Sequence, residues 1–160
     1  MSGIKNKVTL NIVLVFSIFV LVVAYFIEYL LKHEPCNLCL IERIPYIISI
    51  IIISICLFLK KFEKITFILL TIIFIAGAFV SFYHFGIEKG FFEESFLCNL
   101  SNEINILTKE DLLKELQKKI ISCKNVDFAI FGLSLASINT IVSIILSTIT
   151  FKKYLNYEKN

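Results

Sequence analysis

The sequence predicts an all-α membrane protein, a four-transmembrane-helix bundle with both termini cytoplasmic. Three observations lead there. First, 58% of the 160 residues are apolar and only 18% are charged, against about 25% charged in an ordinary soluble domain. The mean hydropathy is +0.85. So small a domain leaves much of its surface exposed, so the solvent for much of this chain must be lipid. Second, residues 8–27, 44–59, 65–85 and 128–151 form four charge-free apolar runs of 20, 16, 21 and 24 residues. A helix crosses the hydrocarbon core with about 20 such residues, and continuous runs lack the alternation of a barrel strand. Third, the densest lysine clusters fall at alternate ends of these runs, as the positive-inside bias requires.

The first span, 8–31, follows Lys5 and Lys7. It is too long for a signal-peptide core and lacks a small-residue cleavage site after Tyr25, so it is expected to remain as an anchor. The second, 42–59, is short unless Leu40 and Ile41 lie at membrane depth; Pro45 suits its first turn, where a missing N–H costs nothing. Lys60, Lys61 and Lys64 then mark a tight inner turn. The third span covers 64–85 and the fourth 127–151, followed by Lys152, Lys153 and Lys159. The outer loops are then 32–41 and 86–126, within a single integral membrane domain, 1–160. Tyr25, Tyr29, Tyr46 and Tyr83 near the outer ends, with Tyr154 and Tyr157 beyond the inner one, match an interfacial aromatic belt. In the second loop, Thr108 reads as an N-cap before Glu110 and Asp111. Leu112, Leu113, Leu116 and Ile120 form a stripe at helical spacing, so a short amphipathic helix is expected over roughly 109–121. It could lie on the membrane surface or pack on the loop itself.

A net charge of +3, scattered between apolar runs, argues against a nucleic-acid partner. The cysteines say more. Cys36, Cys39, Cys98 and Cys123 all map to the outer side, where disulfides persist. Cys56 alone lies near an inner end and reads as a small buried hydrophobe. Cys36-Asn37-Leu38-Cys39 is a CxxC motif, shared by redox and zinc sites. Cys39 is nearer both the following helix N-terminus and Arg43, and is expected to be the more reactive sulfur. No metal is expected, because the other two cysteines stand 25 positions apart without an accompanying histidine. Folding could still gather four sulfurs. Arg43 is the only arginine in the chain and lies on the outer side; its planar fork suits an oxygen acceptor such as a quinone carbonyl. His84, at the outer end of span three, is expected at the same depth. The two could flank a lipid-soluble ligand, although an interfacial histidine is equally common.

Taken together, these features resemble the DsbB-type disulfide bond formation proteins. The resemblance rests on four spans, an outer CxxC ahead of span two and a second cysteine pair between spans three and four. It includes the strings Pro35-Cys36-Asn37-Leu38-Cys39-Leu40-Ile41-Glu42-Arg43, Phe82-Tyr83-His84-Phe85-Gly86-Ile87-Glu88 and Phe131-Gly132-Leu133-Ser134-Leu135-Ala136-Ser137-Ile138-Asn139. It implies a quinone-dependent protein-disulfide oxidoreductase of the bacterial inner membrane, with its active loops periplasmic. The partner it implies is a DsbA-like thioredoxin-fold oxidase. The electron acceptor would be a membrane quinone, ubiquinone or menaquinone. By the same resemblance Cys98 and Cys123 would meet the partner, Cys36 would exchange with Cys123, and Cys39 would deliver electrons to the quinone. Arg43 and His84 would bind that quinone. The vitamin K epoxide reductase family uses related chemistry but places its CxxC near a later span. The alternative is a four-span structural or metal-binding membrane protein with outer-loop cysteines.

Overall fold

The computed structural model describes residues 2–32, 35–59, 62–93, 123, 129–130 and 133–158. Among these residues five helices run in order: α1 (Ser2–Tyr29), α2 (Asn37–Ile41), α3 (Ile44–Leu59), α4 (Glu63–Glu88) and α5 (Leu135–Glu158). Two short strands, β1 (Ala129–Ile130) and β2 (Leu133–Ser134), precede α5. Among the described residues, four segments are long and apolar enough to cross a membrane: Asn6–Tyr29, Asn37–Leu59, Glu63–Glu88 and Leu135–Asn156. The chain is therefore a multi-pass membrane protein. The expected helix over 109–121 lies outside the described residues.

Lipid as solvent accounts for the exposed faces. Ile12, Val15, Phe19 and Val22 on α1 recur every three or four residues and are all more than half exposed. In water such a stripe would be unstable; against acyl chains it costs nothing. The interior is built from Leu10, Val13, Tyr46, Ile53, Cys56, Phe67, Leu70, Phe74 and Leu146, contributed by α1, α3, α4 and α5. Cys56 thus takes the buried position expected of it. Buried hydroxyls pair across the helices: Ser49 Oγ donates to Ser17 Oγ at 3.1 Å and Thr71 Oγ1 to Thr150 Oγ1 at 2.9 Å. Such bonds hold helices together where lipid supplies no hydrophobic drive between them. Gly77 lets α4 pack close against α3: a Cβ there would stand 3.1 Å from Pro45 Cγ and 3.3 Å from Pro45 Cβ.

Three boundaries differ from the sequence reading, each for a local reason. The second span begins at Asn37, so the CxxC opens the helix rather than preceding it, and the span reaches 23 residues. Glu42 and Arg43 form a turn between α2 and α3, because Pro45 lacks an N–H and its ring crowds the carbonyl four residues back. Span three runs three residues further, to Glu88, and ends in a left-handed glycine cap. Gly90 has φ +76°, Phe91 N donates to Gly86 O at 2.8 Å and Gly90 N to Ile87 O at 3.0 Å, the paired bonds of a Schellman motif. Span four starts at Leu135, later than expected, because 129–130 and 133–134 pair antiparallel, Ala129 with Ser134 and Ile130 with Leu133. Ser134 then caps α5: its Oγ accepts from Ser137 N at 3.2 Å.

Candidate functional site

The site is assembled where α2, the Glu42–Arg43 turn, the C-terminal end of α4 and the N-terminal end of α5 meet. A second apolar cluster forms there from Cys36, Leu38, Ile87 and Cys123, with Cys39, Ile41 and Tyr83 packed on it. Cys36 caps α2 and its sulfur accepts the backbone N–H of Cys39 at 3.3 Å. The two sulfurs, both thiols, stand 2.6 Å apart. Three residues of one helical turn place them so, since positions i and i+3 share a face. Cys123 is buried, 1% exposed, and is already disulfide-bonded. Cys98 lies outside the described residues.

His84 comes from α4, and 48 positions separate it from Cys36. Its Nε2 lies 3.5 Å from Cys36 Sγ and its Nδ1 lies 2.7 Å from Glu42 Oε1. The carboxylate can only accept, so Nδ1 carries the proton and Nε2 faces the thiol as an acceptor. The other oxygen of Glu42 accepts from Asn139 Nδ2 on α5 at 2.9 Å. The same amide donates to Ser81 Oγ at 2.7 Å, and Tyr46 Oη donates to Asn139 Oδ1. Glu42 is 8% exposed and His84 3%. A polar chain thus runs from the thiol through His84 and Glu42 to Asn139 and ties α3, α4 and α5 together. Buried polar networks of this kind hold their members rigidly when every group is satisfied.

These surroundings favour the Cys36 thiolate. Its pKa is lowered from 9.0 to about 5, first by the hydrogen bond from the Cys39 thiol and then by His84, against the opposing effect of burial. The sequence reading placed the better thiolate at Cys39, on its proximity to the helix start and Arg43. The structure instead gathers the donors on Cys36. Arg43 turns away: its Nη1 pairs with Glu28 Oε2 on α1 and its guanidinium lies 5.0 Å from the centre of the Tyr25 ring. Arg43 and His84 therefore have separate partners, Arg43 on the α1 side and His84 on the CxxC side.

The arrangement can take a proton from Cys36 through His84 and form or open a disulfide with little motion of the two sulfurs. Four of its residues escaped notice as site groups in the sequence. Glu28, Glu42 and Glu88 were visible as acids in or at the edge of apolar runs, where an ionisable residue is a functional signal by default. Asn139 carried no such mark beyond its place in one of the resembling strings.

The family model for "Disulfide bond formation protein DsbB" matches residues 6–152. The chain belongs to the DsbB family. It is a membrane oxidoreductase of disulfide bond formation, in keeping with its buried cysteine pair at the end of four spans. A similar protein, described as uncharacterized, occurs in Rickettsia prowazekii (strain Madrid E). It is 32% identical over 140 residues, covering 86% of this chain and 81% of the relative. No solved structure matches the chain significantly.

Proposed function

We propose that this DsbB-family protein is a thiol:quinone oxidoreductase that reoxidises a DsbA-like thioredoxin-fold oxidase. The observation that carries the reading is the packing of buried Cys36 and Cys123 with partly buried Cys39 in one apolar cluster, with His84 in hydrogen-bond reach of Cys36. A soluble partner does not enter the bilayer and a quinone does not leave it. Two cysteine pairs resolve that mismatch, one offered to the partner and one held at the membrane edge. In this scheme Cys98 and Cys123 form the partner-facing disulfide. The partner's dithiol reduces it, and the Cys123 thiolate then attacks the Cys36–Cys39 disulfide at Cys36. The new bond joins Cys123 to Cys36, and Cys39 leaves as the thiolate.

In this reading the CxxC and the 86–126 loop face the periplasm from the inner membrane, which the spans' lysine pattern supports. Arg43 fits the edge of a quinone site. One guanidinium nitrogen serves Glu28, which leaves further N–H donors of the fork for a carbonyl oxygen. A bound quinone, ubiquinone or menaquinone, would take two electrons and two protons as the Cys36–Cys39 dithiol closes to a disulfide. Cys39 supplies the sulfur on that side, being the less buried of the pair. His84, held by Glu42, accepts the Cys36 proton and keeps it next to the reacting sulfurs.

The test is quinone reduction by the purified protein, supplied with a reduced thioredoxin-fold dithiol partner and each quinone in turn. Turnover is expected with the native protein and is expected to vanish in Cys39→Ser. Undiminished turnover in that variant would refute the relay. Cys98→Ser is expected to block turnover with the partner while leaving quinone binding intact.

A further inference from the structure

We propose that the reduced Cys36–Cys39 pair, together with His84, is a binding site for one zinc(II) ion. The ligand atoms of Cys36, Cys39 and His84 all lie within 4.8 Å of one another. In a tetrahedral site, with Zn–S about 2.3 Å and Zn–N about 2.0–2.1 Å, a sulfur and a ring nitrogen stand about 3.5 Å apart. Cys36 Sγ and His84 Nε2 already stand at 3.5 Å. The two sulfurs must separate from 2.6 Å to about 3.8 Å. Cys39, the less buried of the two, can do that by rotating its side chain.

Two further observations point to a ligand there. Glu88, the last residue of α4, has a side chain only 7% exposed, and its Oε1 lies 3.9 Å from His84 Nε2. Its Oε2 is buried without a hydrogen-bond partner among the described residues. A buried carboxylate oxygen without a partner is unusual, and this one belongs to a side chain whose other oxygen lies beside His84 Nε2. Glu42 meanwhile holds His84 Nδ1 at 2.7 Å. A carboxylate on the far nitrogen is the common support of a metal-binding histidine, where it fixes the ring and raises its basicity.

The chemistry sets the conditions for binding. Zinc takes thiolates, so binding releases the remaining thiol proton. Two thiolates cancel the charge of the dication, which a buried site requires. The disulfide form offers no thiolate and binds nothing. Zinc therefore captures only the reduced pair and holds it reduced, acting as a reversible brake on disulfide formation. The inference does not depend on the identity of the electron acceptor.

The experiment uses the full chain in lipid nanodiscs, with Cys98→Ser and Cys123→Ser removing the other pair. Zinc is titrated against a chromophoric chelator under anaerobic conditions. One zinc per chain is expected for the reduced protein and none for the oxidised protein, a comparison that needs no substitution at the site. His84→Gln is expected to weaken binding at least about tenfold, and Glu42→Gln by about 10–100-fold, as for other groups that support a ligand. Cobalt(II) in place of zinc should give the absorption bands of a tetrahedral thiolate site. Absence of stoichiometric binding to the reduced protein, an octahedral cobalt spectrum, or an affinity in His84→Gln within twofold of the parent would overturn the assignment. Loss of quinone turnover with zinc binding intact would count against the proposed relay and leave this site standing.

Discussion

The pH dependence of Cys36 alkylation is the most direct probe of the site. With its pKa lowered from 9.0 to about 5, Cys36 is about 99% thiolate at pH 7, against about 1% for an ordinary thiol. The gain in thiolate is thus about 100-fold. Intrinsic nucleophilicity falls with pKa, with a Brønsted slope of about 0.4–0.5, so four units cost about 40–100-fold. The two effects nearly cancel, and the absolute rate at pH 7 says little. The profile discriminates. Iodoacetamide labelling of Cys36 in the reduced protein, followed by mass spectrometry of its peptide, should be flat from pH 6 to 9 and fall below about pH 5. Because the folded pKa is lowered, the thiolate's contribution to the stability of the reduced fold is full above the unfolded value of 9.0. It is lost as pH falls through about 5. Cys39→Ala removes the strongest donor to the Cys36 sulfur and should raise the midpoint, while Cys39→Ser keeps an O–H donor and should raise it less. A rate that climbs about tenfold per unit between pH 6 and 8 in the native protein would refute the reasoning.

Three further outcomes are expected. Glu42→Gln removes a charge-assisted bond to His84 worth about 1.5–3 kcal/mol, so the Cys36 alkylation midpoint should rise by one unit or more; an unmoved midpoint would mean that Glu42 only packs. Arg43→Lys keeps the charge but loses the fork that Glu28 engages, and should raise the apparent KM for quinone about tenfold while the protein still folds. Unchanged quinone affinity would remove Arg43 from the site. Gly77→Ala forces a methyl against Pro45 at 3.1 Å and should cost about 1–3 kcal/mol of stability, read as a lower Tm in detergent; an unchanged Tm would show that α3 and α4 part without penalty.

Much of the architecture was legible because membrane spanning is a property of composition and run length. A charge-free run of 20 residues has few ways to satisfy its backbone in lipid. The same logic marked the CxxC, and its setting among four spans. The boundaries were less legible, because capping is decided by single residues. Gly90 ends α4 and Ser134 begins α5, and neither interrupts an apolar run strongly enough to be seen as an end. The expected pairing of groups went astray at Arg43. Sequence proximity put it beside Cys39, but a side chain four residues along a broken helix can point elsewhere, and Glu28 on α1 supplies a stronger partner than a thiol.

The sequence by itself determined that the chain lives in a membrane, that it carries four runs able to cross it, and that its CxxC is followed later in the chain by Cys98 and Cys123. Those facts follow from local chemistry: hydropathy, spacing and the chemical identity of sulfur. Tertiary structure alone decided which sulfur the site favours. His84 is 48 positions from Cys36, and Asn139 is 97 from Glu42. No local pattern links them; only the packing of α4 and α5 against the Glu42–Arg43 turn closes those distances. Proton position and thiolate stability depend on charges within a few ångströms. They therefore became readable only when the helices came together.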